Sequence, residues 1–217
     1  MKPTLIPTIL AQNTEDAFRD IRALGRAASW IHFDVLDHTL VPFESWFDPR
    51  SLHLWNVHAN IELHLMVNDP VSFFNRCAHL SHLKRILWHI EAPIDHAALL
   101  KRCHRRNIEA GLALSPDTVL SRLIPFLENI DEVLVMGVIP GKSGQTLLPH
   151  TLKTLQTLSC LVPRLKLGFD GGVTRSNLRS VVRHGATRVY GHSIVFNTKQ
   201  PDQTLGSLNT FLKTLPI

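Results

Sequence analysis

Short apolar runs of β-forming residues alternate along this chain with stretches of helical periodicity. The runs fall at residues 5–10, 30–36, 61–67, 85–90, 110–114, 132–138, 165–169 and 188–190, and each predicts a strand. The stretches between and after them predict helices near 14–27, 71–81, 94–106, 117–128, 147–160, 175–184 and 202–214. The link at 37–57 is the least helical, because it carries Pro42, Pro49 and large aromatic residues. Helix starts are marked by Asn13 or Thr14 ahead of E-D-A-F-R-D-I, by Asp69-Pro70, and by Ser115-Pro116-Asp117 ahead of T-V-L-S-R-L. β segments joined by helical ones imply a parallel sheet with crossover helices. At 217 residues the economical closure is an α/β fold, a single (β/α)8 TIM barrel filling 1–217 as one domain. A doubly wound open sheet is the alternative, but no G-x-G-x-x-G opens the first βα turn.

Composition narrows the class. A hydrophobic content of 44% supplies an ample core. The net charge of +5 suggests an anionic partner, but the charge is dispersed, and the basic cluster Lys101–Arg106 sits in a helical pattern as a solvated face. A phosphorylated small molecule suits such a chain as well as nucleic acid does, and no clustered aromatics accompany the Lys and Arg residues as in an RNA-binding module. The cysteines at 77, 103 and 160 are odd in number, far apart and without C-x-x-C spacing, as expected of reduced thiols in a cytoplasmic protein. Two prolines interrupt the apolar N-terminal run, which fits a first strand better than a signal peptide. No stretch approaches the roughly 18 uninterrupted apolar residues of a membrane span, so a soluble protein without a membrane partner is expected.

Four ligand-type side chains end otherwise apolar β runs. His32 and Asp34 lie two apart in W-I-H-F-D-V and so share one face of a strand; His64 sits in I-E-L-H-L-M-V, and Asp170 closes L-K-L-G-F-D-G-G. In a barrel, reactive groups gather at the C-terminal ends of the strands. Ionised carboxylates are costly to bury alone, and a divalent cation would supply the missing charge. Two imidazoles and two carboxylates suit zinc, iron, manganese or cobalt without choosing among them. Taken singly, His32–Asp34 reads equally as a hydrogen-bonded core pair, His64 as a structural histidine and Asp170 as a turn opener. The second feature is M-G-V-I-P-G-K-S-G-Q, where Gly141 and Gly144 let backbone N–H groups converge on an anion. Asp170-Gly171-Gly172 and Tyr190-Gly191-His192-Ser193 add two glycine-bearing loops after the last strands, the usual phosphate seat of such barrels. Ser143 and His192 fall within these loops, Met66 and Met136 are placed to line the cavity, and Thr8 and Ser115 could bond substrate or only cap. His89 and Glu91, two apart in W-H-I-E, suit a supporting or structural role as well as a catalytic one.

From I-P-T-I-L to G-H-S-I-V-F the chain resembles the ribulose-phosphate 3-epimerase family, through W-I-H-F-D-V, L-H-L-M-V, H-I-E-A, P-G-x-x-G-Q and D-G-G-V. The resemblance implies a ribulose-phosphate-binding barrel that interconverts D-ribulose 5-phosphate and D-xylulose 5-phosphate. It implies one divalent metal per chain on the residues matching His32, Asp34, His64 and Asp170. Asp34 and Asp170 match the two catalytic aspartates: one removes the proton beside the ketone, the other returns a proton to the opposite face, and the metal stabilises the enediolate between. Thr8, His64, Met66, Met136, Gly141, Ser143, Gly144, Gly171, Gly172, Gly191 and His192 match positions around the substrate and its phosphate. Homo-oligomers are common among relatives, and the aromatic-rich segment 43–55 could cover the barrel mouth or meet a partner subunit.

The departures lie at the rim. Leu36 replaces a methionine, His38 a glycine and Phe43 an asparagine; Lys142 and Ser143 interrupt the P-G-F-G-G-Q loop, and His192 follows Gly191. No metal or acid/base position is lost, so activity is expected, with the exact ketose phosphate open, allulose 6-phosphate being the alternative. A decarboxylase or aldolase on a related barrel would be expected to show a strand lysine near the mouth, and the one candidate, Lys166, lies early in its strand instead. A degenerate, non-catalytic sugar-phosphate-binding barrel is the remaining alternative.

Overall fold

The computed structural model describes residues 2–55, 57–142 and 144–215. Its strands are β1 (Thr4–Ile9), β2 (Trp30–Leu36), β3 (Asn60–Met66), β4 (Leu83–His89), β5 (Glu109–Leu114), β6 (Glu132–Met136), β7 (Lys166–Asp170) and β8 (Arg188–Gly191). They close in sequence order into a barrel, every neighbouring pair parallel, with β8 returning to β1 through Thr4–Arg188 and Pro7–Gly191. The predicted strands are therefore all present, with ends shifted by a residue or two.

The helices are α1 (Thr14–Leu24), α2 (Pro49–Leu54), α3 (Pro70–Cys77), α4 (His96–His104), α5 (Pro149–Leu161), α6 (Leu178–Arg183), α7 (Ser193–Phe196) and α8 (Pro201–Thr214). Side chains close their first turns: Asn13 accepts from Asp16 N–H at 2.9 Å, Asp69 from Ser72 N–H at 3.0 Å and Asp95 from Ala98 N–H at 3.0 Å. Among the described residues, the one helix of the link at 37–57 is the short α2, opened by Asp48 and Pro49. One predicted helix fails. The stretch at 117–128 winds as a 3-10 helix over Leu120–Phe126, and Ser115-Pro116-Asp117 opens no α-helix. Pro125 explains this, since its ring removes a backbone donor and crowds the preceding turn.

Strand alternation sorts side chains into two layers. Outward residues such as Phe33, Leu63, Trp88, Leu112, Val135 and Phe169 meet Ala17, Leu24, Phe74, Leu99, Leu155 and Leu208 from the helices, forming the main core. Each such side chain contributes about 1.5–3 kcal/mol of burial. Inward, a small apolar cluster of Ile6, Leu87, Ala113, Leu134, Met136 and Tyr190 fills the middle of the barrel. Toward the N-terminal ends of the strands lies a charged layer. Arg85 pairs with Glu62, with Glu109 at 2.7 Å and with Glu132 at 3.5 Å; Arg188 pairs with Glu132; Lys166 pairs with Glu109 at 3.1 Å. Tyr190 hydroxyl lies between the two buried glutamates, 2.7 Å from Glu132 and 3.2 Å from Glu62. Gly168 makes room for this layer, because a Cβ there would strike Glu132 Oε1 and come within 2.8 Å of the Tyr190 ring. Lys166 is committed to this lower layer, far from the mouth.

Candidate active site

The late halves of β2, β3 and β7 bring the four predicted ligand residues together. Asp34 is the register partner of His64, while Asp170 ends β7 beside Met136. One ligand atom from each of His32, Asp34, His64 and Asp170 lies within 4.8 Å of the others. His64 Nδ1 stands 2.9 Å from Asp34 Oδ1 and 3.9 Å from Asp170 Oδ2, and His32 Nε2 stands 3.1 Å from Asp34 Oδ1. Both histidines are 0% exposed and both aspartates 7%.

Electrostatics make this cluster short of positive charge. Glu62, itself 0% exposed, faces His32 Nδ1, so Nδ1 donates to it and Nε2 is the nitrogen turned to the aspartates. Burial and the neighbouring Asp34 charge push the Asp170 carboxyl up to about 6. Burial works against Asp34 as well, yet hydrogen bonds from His32 and His64 hold its carboxyl well below the usual range. Burial opposes a proton on His32, but its hydrogen bonds with Asp34 and Glu62 outweigh that and raise it to about 10. A field that draws a proton onto a buried imidazole draws a cation as well. The donor set, its crowding and its excess negative charge fit a divalent ion bound through His32, Asp34, His64 and Asp170.

A cavity opens above the cluster at the C-terminal ends of the strands. Thr8, Asp34, Met66, Met136, Gly141, Gly144, Asp170, Gly171, Gly172, Gly191 and His192 line it, whereas His32 and His64 lie beneath its floor. Ser143 lies outside the described residues. Thr8 Oγ1 is buried without a hydrogen-bond partner among the described residues, a hydroxyl awaiting a polar group from a ligand. The loops need their glycines: Gly141 has φ 123° and a Cβ there would strike the Phe43 ring, while at Gly172, with φ 67°, it would sit 2.5 Å from Leu147 N. Lys142 also lines the cavity, its Nζ 4.8 Å from the centroid of the Phe43 ring, so this ring bridges the loops after β2 and β6.

Other departures fall elsewhere. His38 is exposed at φ 64° and pairs with Glu44 at 3.1 Å, away from the cavity, and Leu36 is buried outside its lining. Trp46 stacks on Trp55 with centroids 5.2 Å apart, and both pack against the outer core instead of roofing the mouth. The lining also includes Leu10, Val138, Pro140, Val173, Tyr190 and Ser193, which sequence reasoning had not named as site residues; Leu10 and Val138 are two of its aliphatic members. Tyr190 had a signal, since it alternates with Arg188 in R-V-Y-G and so faces the interior; the two aliphatic residues had none.

His89 and Glu91 sit behind the cluster. His89 Nε2 is 3.1 Å from His64 Nε2, and His89 Nδ1 is 3.0 Å from Glu91 Oε2. Burial holds the His89 imidazole below its ordinary range despite Glu91. Glu91 stays ionised: burial opposes its charge, but the hydrogen bond from His89 lowers it to about 2.

Among the described residues no helix is long and apolar enough to cross a membrane. Comparison with known proteins gives the family. The model of the ribulose-phosphate 3 epimerase family matches residues 4–196. A ribulose-phosphate 3-epimerase of Schizosaccharomyces pombe is 29% identical over 96% of this chain and 94% of its own. Another, from Escherichia coli K12, is 32% identical over 93% of this chain and 92% of its own. Among solved structures, 3-keto-L-gulonate-6-phosphate decarboxylase from Vibrio cholerae superposes with a TM-score of 0.74 over 100% of both chains at 12% identity, a likeness of fold. Barrel, converging ligand residues and whole-length similarity agree: this chain belongs to the ribulose-phosphate 3-epimerase family.

Proposed function

We propose that this protein epimerises D-ribulose 5-phosphate at C3 to D-xylulose 5-phosphate in the cytoplasm, using Asp34 and Asp170 as the proton-transferring pair. The convergence of these two carboxylates, which line one cavity, with two imidazoles beneath its floor carries the reading. Asp34, held ionised by its histidine hydrogen bonds, is the ready base, and Asp170, with its carboxyl raised to about 6, is the ready acid. One aspartate takes the C3 proton from one face and the other returns a proton to the opposite face; the reverse reaction exchanges their roles. A divalent ion held by His32, Asp34, His64 and Asp170 would supply positive charge to offset the charge that develops on the substrate oxygens. Met66 and Met136, each 2% exposed, keep water from the reacting carbon, and the Thr8 hydroxyl bonds a substrate oxygen. The phosphate is seated by backbone N–H groups around Gly141, Gly144, Gly171, Gly172 and Gly191, with Lys142 and His192 in the same lining.

The test is conversion of D-ribulose 5-phosphate by the metal-loaded protein and its Asp34→Asn and Asp170→Asn variants. Each substitution removes a proton carrier and should lower turnover at least about a hundredfold. Retention of more than roughly a tenth of wild-type turnover by either variant would refute the two-aspartate scheme. Turnover of allulose 6-phosphate in preference to the pentulose would move the substrate assignment and leave the chemistry intact. Metal binding without turnover of any ketose phosphate would favour a binding barrel.

A further inference from the structure

Glu91 and His89 have no task in that scheme, yet their contacts decide a property of His64. His89, buried at the end of β4, stacks on His64 with ring centroids 5.2 Å apart and an interplanar angle of 16°. Their Nε2 atoms stand 3.1 Å apart, close enough for a hydrogen bond and therefore sharing a single hydrogen. Glu91 biases which ring owns it. Its Oε2 stands 3.0 Å from His89 Nδ1, and a carboxylate oxygen only accepts, so His89 Nδ1 bears a hydrogen. Nε2 of the neutral His89 ring is then an acceptor, and the shared hydrogen belongs to His64 Nε2. Without a cation, Asp34 Oδ1 at 2.9 Å draws a hydrogen onto His64 Nδ1, as Glu91 does at His89; a cation held by Asp34 and by Asp170, whose Oδ2 is 3.9 Å from Nδ1, removes that demand, and the hydrogen held on Nε2 then leaves the Nδ1 lone pair to the ion.

We propose that Glu91 and His89 are positioning residues, a relay that fixes His64 in the tautomer able to bind a divalent cation through Nδ1. The proposal rests on the metal-site reading above. Glu91 is itself held from its far side: Oε1 accepts Ser115 N–H at 3.1 Å and the Thr118 hydroxyl. Those two donors make Glu91→Gln a sharp probe. They demand an oxygen at the Oε1 position, so the new amide nitrogen lands opposite His89 Nδ1. Facing a donor, Nδ1 must become an acceptor; His89 Nε2 then carries the hydrogen, and His64 is driven to bear its own on Nδ1. An isosteric change remote from the cavity thus reverses the tautomer at the ligand position. Ser115 Oγ, 3.3 Å from His89 Nδ1, can accept in place of the carboxylate, so the variant is read alone and with Ser115→Ala.

The experiment is titration of the chelator-stripped full-length protein with cobalt(II), followed by visible absorption. Wild type should bind, while Glu91→Gln with Ser115→Ala should bind about 10–100-fold more weakly with an altered ligand-field spectrum, the usual scale for such supporting contacts. His89→Gln, whose amide oxygen can accept from His64 Nε2, should stay within about threefold of wild type, and His89→Leu should lose affinity as the Glu91 variant does. Unchanged affinity and spectrum in the Glu91→Gln, Ser115→Ala protein would overturn the relay. So would equal losses in His89→Gln and His89→Leu, which would mark His89 as packing only. Should His89→Leu fail to fold, the Glu91 variants decide. A wild-type protein that takes up no cobalt would remove the metal-site reading itself, an outcome distinct from equal binding by wild type and variant.

Discussion

Arg85 offers the sharpest stability test, because a guanidinium 1% exposed stands among three glutamates inside the barrel. Arg85→Met keeps much of the stem's packing over Trp30, whose ring centroid is 4.1 Å from the guanidinium carbon, but deletes the charge. Glu62 and Glu132, both 0% exposed, would then share only Tyr190, His32 and Arg188. Removing one partner from a buried ion pair costs about 3–5 kcal/mol. The surviving cations place this case at the lower end, about 3 kcal/mol, or roughly 6–12 °C in melting temperature for a domain of this size. The deficit should also depend on pH. Burial works to raise Glu62, and Arg85 is foremost among the contacts that instead lower it to about 2, below its ordinary 4.5. In wild type this stabilises the fold above the unfolded pKa and is lost as pH falls through about 2. Without Arg85 the folded pKa of Glu62 rises, so the variant should be closer to wild type near pH 5 than near pH 8. Urea melts at both pH values measure this. Glu62→Gln placed in the Arg85→Met background should show a coupling of at least about 1 kcal/mol. A loss below about 1 kcal/mol for Arg85→Met, or strict additivity with Glu62→Gln, would refute the view that these charges depend on one another.

Three further outcomes are expected. Phe43→Leu removes the ring beneath Lys142 Nζ, a contact worth about 0.5–1 kcal/mol, and should raise KM roughly two- to fivefold with kcat unchanged if the loop it holds seats the phosphate as proposed; a fall in kcat alone would refute that role. Burial pushes the Cys77 and Cys103 thiols up to about 12, whereas Cys160 is exposed, so one thiol should react with a disulfide reagent near pH 8 in the native protein and all three after unfolding. Cobalt affinity should climb with pH between about 6 and 8, by up to about tenfold per unit, because the proton drawn onto His32 must leave before Nε2 can bind the ion; a flat profile would take His32 out of the ligand set.

The strand pattern was legible because parallel strands carry dense β-forming apolar runs whatever surrounds them. The helix starts were legible where Asn13 and Asp69 stand next to the amides they cap, whereas the cap that Asp95 provides was not singled out. The winding of 117–128 was misread because a favourable start outweighed Pro125, whose effect comes a turn later. His32 and Asp34 could be paired from spacing alone, being neighbours on one strand face. Their meeting with His64 and Asp170 could be inferred only from the barrel and from resemblance, since local sequence carries no register between β2, β3 and β7. His38 and Leu36 looked like rim residues by position, but a left-handed backbone at His38 and the hydrogen bond with Glu44 turn that side chain outward.

The alternation of apolar β runs with helical stretches thus favoured a closed parallel barrel over an open sheet, with ligand-type side chains at the ends of its strands. Only the tertiary structure decided which of these charges stand within reach of one another. Arg85 came to lie among Glu62, Glu109 and Glu132, His89 behind His64, and the Phe43 ring under Lys142. The reason is physical: side-chain direction is set by local backbone geometry, whereas electrostatic partnership depends on distances fixed by strand register and barrel closure.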